Sequence, residues 1–231
     1  MIEADFDDVL NQIDTIRIGD PEENFPEEAT AETPIEIIQY EESYDRLEDL
    51  YEASDVVAIV KPVSRQQKLS VVNTEVEIKR NYKSDFVEGD HISLFEQYHI
   101  QYNQYQGEYY AGAYSDGGYI PMDMDKEYLV FLRKSPKYEL DQFGYLSLLY
   151  GKFPYLTQEP NILELNQTSE GIREITLDEL YAHDVVLIDF IEDEEHPSTD
   201  LKKEQRQKYV EYKENYMRIL EDLIKNGYQI P

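Results

Sequence analysis

The chain's histidines, His91, His99, His183 and His196, are the residues best suited to acid–base or metal chemistry. Two imidazoles on one helical turn, as in H-E-x-x-H, would hold zinc and activate a water. None of the four has that spacing. His91 and His99 lie eight residues apart in a segment that reads as strand, which separates them by roughly 26 Å at the usual strand rise. They cannot share an ion along an unbroken strand. Cysteine is absent, which excludes thiolate nucleophiles, disulfides and cysteine-bound zinc. The chain also lacks a Gly-rich phosphate loop, a G-x-G-x-x-G turn and a G-x-S-x-G elbow. Carboxylates are abundant but not patterned. "MDMDKE" (Asp123, Asp125, Glu127) resembles half of a calcium loop without its glycine and distal glutamate, and "IEDEEH" reads as a solvated turn. The expectation is a chain with no catalytic residue, no metal ligand and no cofactor, and so not an enzyme.

The residues that stand out are tyrosines. "QYHIQYNQYQGEYYAGAYSDGGYI" (97–120) holds seven of the chain's 21 tyrosines and four of its ten glycines, yet no leucine or phenylalanine. Tyr98, Tyr102, Tyr105, Tyr109, Tyr110, Tyr114 and Tyr119 are the candidate partner-binding residues. Tyrosine, glycine, asparagine and glutamine make up adaptable binding loops, where rigid rings give contact area at low entropy cost. The competing reading is structural: the rings extend a strand pair and cover an open barrel face with their hydroxyls wet. Residues 97–120 contain no lysine or arginine, so a phosphate backbone gains nothing there.

Charge narrows the partners further. The 231 residues carry a formal charge of −29, of which residues 1–55 hold −17. Such a chain repels nucleic acid and anionic lipid, so the expected partner is a protein or glycan, with no direct nucleic acid. A basic protein surface is the alternative partner, met by the acidic N-terminal segment as a nucleic-acid mimic in an intracellular inhibitor or immunity-type protein. No run of 18 apolar residues exists, so no membrane span is expected. "MIEADFDDVL" lacks the basic start and apolar centre of a signal peptide. The expected location is extracellular or cell-surface with the signal removed, alternatively cytoplasmic.

Periodicity supplies the elements that must position these residues. Residues 2–16 read as an amphipathic helix ended by Gly19, and "IEIIQY" as a short strand. "SYDRLEDLYEAS" predicts a helix capped by Ser43, with Tyr44, Leu47, Leu50 and Tyr51 on one side. "DVVAIVK" (Asp55–Lys61) is compact and β-branched, as in a buried strand, and "PVSRQQK" separates it from the next segment. "LSVVNTEVEIKRNYK" alternates over an unusual length, with Val72, Thr74, Val76 and Ile78 on one face. "SDFVEGD" turns into a third strand, "HISLFEQYHI", and "KEYLVFLRK" is a fourth. "YLSLLYGKFPYL" predicts two short strands broken at Gly151, and "NILEL" another. Further on, "TLDELYAHD" predicts a short helix capped by Thr176, "VVLIDFI" a strand, and 199–226 a long helix. That helix carries Leu201, Tyr209, Tyr212, Tyr216, Ile219, Leu220, Leu223 and Ile224 as its stripe and ends at Asn226-Gly227.

A long strand bending to serve two sheets suggests a five-stranded Greek-key barrel. The order "LEDLYEASDVVAIVKPV", "VVNTEVEIKRNYKSDFVEGDHISLFE", "MDKEYLVFLRK", "YGKFPYL" resembles an uncharacterised group of Gram-positive bacterial proteins. That group has an OB-like barrel related in shape to the inhibitor domain of metalloproteinase inhibitors. The likeness covers about residues 47–157 and implies a fold only, because the N-terminal cysteine those inhibitors rely on is missing here. The expected fold is α+β: a small OB-like antiparallel β-barrel flanked by N-terminal helices and a long C-terminal helix. The expected division is an acidic segment 1–42, a barrel 43–165 and a helical extension 166–231. The expected function is a non-enzymatic binding or accessory domain acting through the Tyr/Gly-rich stretch.

Overall fold

The computed structural model describes residues 15–19, 44–68, 71–105, 108–116, 120–134, 142–147, 150–167, 173–190 and 200–230. In chain order the elements are β1 Thr15–Gly19, α1 Leu47–Ala53, β2 Val56–Lys68, β3 Val71–Lys83, β4 His91–Tyr105 and β5 Glu108–Asp116. They continue as β6 Tyr128–Lys134, β7 Gln142–Tyr145, β8 Lys152–Pro154, β9 Ile162–Gln167, β10 Arg173–Thr176, α2 Leu177–Tyr181, β11 Val185–Phe190 and α3 Asp200–Lys225.

Five strands close a barrel in the ring order β2-β3-β4-β7-β6 and back to β2. Four of the five seams are antiparallel and the β4–β7 seam is parallel. The expected barrel is thus present, but it is mixed rather than wholly antiparallel. Parity is the reason: directions cannot alternate around a ring of odd strand number, so a parallel seam must occur. β3, the long alternating strand, buries Val72, Thr74, Val76 and Ile78 as its spacing requires.

Two strands are buried on both faces. Val56, Ala58 and Val60 of β2 and Tyr128, Val130 and Leu132 of β6 join Val76, Ile78, Ile92, Leu94 and Phe143 inside the barrel. The intervening Val57, Ile59, Leu129 and Phe131 form a second, outer core with Leu50, Tyr150, Phe153 and the α3 residues Tyr212, Ile219, Leu220 and Leu223. This double burial explains why "DVVAIVK" is a continuous apolar run rather than an alternating one.

The strand does not stop at Lys61, where the apolar run ends. β2 runs on to Lys68 and pairs with β3 throughout, with register shifts that include one between Pro62 and Ser64. Pro62 is tolerated because the β6 pairing ends at Val60, so its missing N–H falls on an edge beside a bulge. Residues Thr15–Gly19, assigned above to the end of a helix, form a strand between β5 and β10 instead. Thr15, Ile16 and Ile18 are β-branched, and two strand partners outweigh a helical periodicity that the same residues also fit. Residues 2–14, "IEIIQY" and Ser43 lie outside the described residues. α1 starts at Leu47 after Arg46, which makes no side-chain cap. The strand expected at the start of "YLSLLYGKFPYL" sits slightly earlier, at Gln142–Tyr145. The break at Gly151 is steric: a Cβ there would lie 2.5 Å from both Ser147 O and Tyr145 Cβ. The remaining expected elements form: Thr176 Oγ1 accepts the Glu179 N–H at 3.2 Å, as an N-cap should.

α3 ends in a Schellman turn. Gly227 has φ +60°, Tyr228 N–H reaches Leu223 O at 2.8 Å and Gly227 N–H reaches Ile224 O at 3.1 Å. The turn places the buried Tyr228 ring beneath β8, where its hydroxyl donates to Pro154 O at 2.5 Å and accepts from Leu156 N–H at 3.0 Å. Burial pushes that hydroxyl up to about 12. No helix of the described residues is long and apolar enough to cross a membrane.

Because α3 completes the outer core, Leu220→Ala should destabilise the whole barrel by about 2–5 kcal/mol. Urea unfolding followed by tyrosine fluorescence and by far-UV dichroism should shift together. Loss of helix signal alone, with the barrel transition unmoved, would show that α3 folds separately.

Candidate functional site

The tyrosine-rich stretch is a β-ribbon. It comprises the second half of β4 and all of β5, paired from Tyr98↔Ser115 to Tyr105↔Glu108. Two residues connect the strands, the length of the tightest hairpins. The stretch was expected to be a loop between strands or a strand pair over the barrel; its backbone is the strand pair. Tyr98, Tyr102 and Tyr105 fall on β4, and Tyr109, Tyr110 and Tyr114 on β5. Tyr119 lies outside the described residues. β3 accompanies β4 only as far as His99, and β1 accompanies β5 only from Ala113 onward. Ile100–Tyr105 and Glu108–Gly112 therefore outrun every other described strand. Six residues of strand make this overhang roughly 20 Å long.

A second feature was not legible as a site. Arg65 on β2, Thr74 on β3 and Glu96 on β4 are all buried, at 3%, 0% and 2% exposure. Register sets Arg65 opposite Thr74, and strand twist brings Glu96 to both. Glu96 Oε1 accepts the Thr74 hydroxyl and lies 3.5 Å from Arg65 Nε, while Glu96 Oε2 accepts the Met122 N–H at 3.0 Å. Burial pulls the Arg65 guanidinium down; the Glu96 carboxylate, with the Tyr181 and Tyr128 hydroxyls, more than offsets this and leaves it above its ordinary value. Parity was the available signal: Glu96 falls on the same face of β4 as the buried Ile92 and Leu94.

Lys152, on β8, completes the cluster. Its ammonium donates to Ile120 O and sits 5.3 Å from the centroid of the Tyr128 ring. Burial lowers it from 10.5 to about 7; Glu96 opposes the shift and Arg65 adds to it. Burial also raises the hydroxyls of Tyr128, Tyr181 and Tyr216. The Tyr128 oxygen accepts the Asp123 N–H at 2.7 Å.

Lys152, Tyr128 and Tyr181 line a partly open pocket of about 90 Å³ between the β6–β8 edge, α2, β11 and α3. Its rim is built by Lys126, which donates to Tyr181 O at 3.2 Å, His183 O at 2.9 Å and Asp184 Oδ1 at 3.1 Å. One cation thus ties the end of α2 to the barrel. His183 Nδ1 lies 2.7 Å from Glu179 O, so that nitrogen carries the proton. His91 pairs with Glu75 at 2.9 Å on the surface. Among the described residues no three His, Asp or Glu groups converge on a metal position. At "MDMDKE", Asp123 Oδ1 accepts the Asp125 N–H at 2.9 Å, a turn-forming bond. "IEDEEH" lies outside the described residues. No family model, no curated protein and no solved structure matches this chain.

Two outcomes follow from the cluster. Glu96→Gln leaves Arg65 buried without its counter-charge and should cost about 3–5 kcal/mol, read as a drop in the urea midpoint at constant slope. A change below about 0.5 kcal/mol, the scale of an exposed pair, would contradict the buried geometry. Lys152 acts with the opposite sign to a stabilising pair. Its folded value is near 7 and its unfolded value 10.5, so between them the unfolded chain binds more protons. Stability from this group is lowest below pH 7 and rises with pH across that window. The midpoint should therefore increase from pH 7 to pH 9 in the native chain, and Lys152→Met should abolish the increase. An equal gain in both proteins would refute the burial of the amine.

Proposed function

We propose that the chain is a non-enzymatic binding domain that recognises a protein or glycan through the β4–β5 ribbon. The observation that carries this reading is the overhang: Ile100–Tyr105 and Glu108–Gly112 run beyond β3 and β1. Among the described residues no strand flanks this part of the hairpin, and a hairpin without such a neighbour contributes little to a barrel and is marginal in water by itself. The overhang nonetheless holds Tyr102, Tyr105, Tyr109 and Tyr110 and a single charged residue, Glu108. Rigid aromatic groups with few charges are the composition of interface centres. The barrel serves as the mount, because β4 leading into the ribbon is paired with β3 over His91–Glu96 and with β7 over Ser93–Phe95.

The test is a triple substitution, Tyr105, Tyr109 and Tyr110 to Ala. A partner captured by the native chain, whether protein or immobilised glycan, should bind at least about tenfold more weakly, the loss of one good hot spot. The melting temperature should move by less than about 2 °C, a surface-scale change. A melting temperature lowered by 10 °C with partner capture unchanged would assign the tyrosines to the structure instead.

A further inference from the structure

The Lys152 pocket is not used by the binding reading and has a chemistry of its own. We infer that the Lys152 amine captures small aldehydes as an imine within this pocket. The groups around Nζ, namely the Ile120 residue whose carbonyl it meets and the Tyr128 ring it faces, both line the same cavity as Lys152 itself. A molecule entering the cavity therefore meets the residue that carries the amine and both groups that surround it. A dry cavity of about 150 Å³ takes benzene, so 90 Å³ admits a few non-hydrogen atoms, with room for a tail at the open side. Pro154, Leu180 and Val186 supply apolar walls, and these favour the dehydrated imine over its hydrated precursor.

The chemistry balances without an outside reagent. The neutral Nζ lone pair attacks the carbonyl carbon, and the carbonyl oxygen takes up a proton. One proton passes from nitrogen to that oxygen in the addition; the carbinolamine's hydroxyl then leaves as water on protonation and nitrogen releases its one remaining proton in exchange, leaving a C=N bond and one water. A neutral amine is required, and desolvation supplies one near pH 7. The charged surroundings decide how far this goes. Glu96 on β4 favours the ammonium and Arg65 on β2 disfavours it, with burial the largest influence. Near the pocket mouth Lys126 is neutralised by Asp184. Asp123, His183 and, from α3, Lys213 and Tyr216 also line the cavity. Tyr128 and Tyr181 hold their protons because burial raises them, so both remain donors for the departing hydroxyl.

The experiment treats the full chain with propanal and cyanoborohydride, which fixes any imine, and maps the modified lysines by mass spectrometry after brief exposure. At pH 7 Lys152 should be labelled at least about tenfold faster than the exposed Lys134, since an ordinary lysine is almost wholly protonated there. Its rate should level off with a midpoint near 7, and native dichroism should persist during labelling. Lys152 labelled no faster than Lys134, or labelled only after urea is added, would overturn the assignment. The measurement needs no substitution, so a failure to fold cannot obscure it. The ribbon tyrosines play no part in it, so its outcome is independent of the binding test.

Discussion

The β2–β6 pair is buried on both faces, and the rest of the molecule follows from that. Val56–Val60 lie against Tyr128–Leu132 with alternate residues turned into the barrel and out to the helices. Each such side chain gains roughly 1.5–3 kcal/mol only if it is covered, and one sheet can cover just one face. The inner face is covered by closing the sheet on itself through β3, β4 and β7. The outer face is covered by α1, α3 and the ring stack of Phe153 on Tyr216, whose centroids are 4.6 Å apart. Closure with five strands then forces a parallel seam, which β7 supplies beside β4.

Closing a small barrel leaves an end to fill, and here it is filled with polar groups. Glu96 accepts the Thr74 hydroxyl and the Met122 amide there and forms an ion pair with Arg65. Such a cluster is weak evidence for stability, because desolvating both charges costs about what their attraction returns. Its clear effect is local. It places a carboxylate and a guanidinium within electrostatic reach of a buried amine, and burial, aided by Arg65, outweighs Glu96 in lowering Lys152 to about 7. The same region is where α2, β11 and α3 meet the barrel edge, and imperfect layering there leaves the pocket.

The ribbon and the pocket differ in how they could be read in advance. Tyrosine and glycine composition drew attention to 97–120 without any structure, since seven tyrosines in 24 residues is visible in the text. What composition could not say is that the stretch is a strand pair: tyrosine has high β-propensity but also serves loops, and the decision rests on the pairing to β4 and β1. The pocket was invisible because its lining residues, Ile120, Tyr128, Lys152 and Tyr181 among them, are scattered along the chain with no motif spacing. The inward parity of Glu96 hinted at the neighbouring charged cluster alone. The run of β2 through "PVSRQQK" was hidden for a related reason, because a bulge lets a proline sit in a strand that local rules would end.

By itself the sequence determined the period of each element: the continuous apolar runs of β2 and β6, the long alternation of β3, the stripe and Gly227 stop of α3. These are local properties, set by side-chain sterics and by which face must leave water. It also determined what the chain lacks in residue types, cysteine above all. The tertiary structure decided the ring order of the barrel, the parallel seam, the meeting of Arg65 with Glu96 and the desolvation of Lys152. Those depend on which strands become neighbours and on how much water closure removes, and both are properties of the assembled chain rather than of any segment within it.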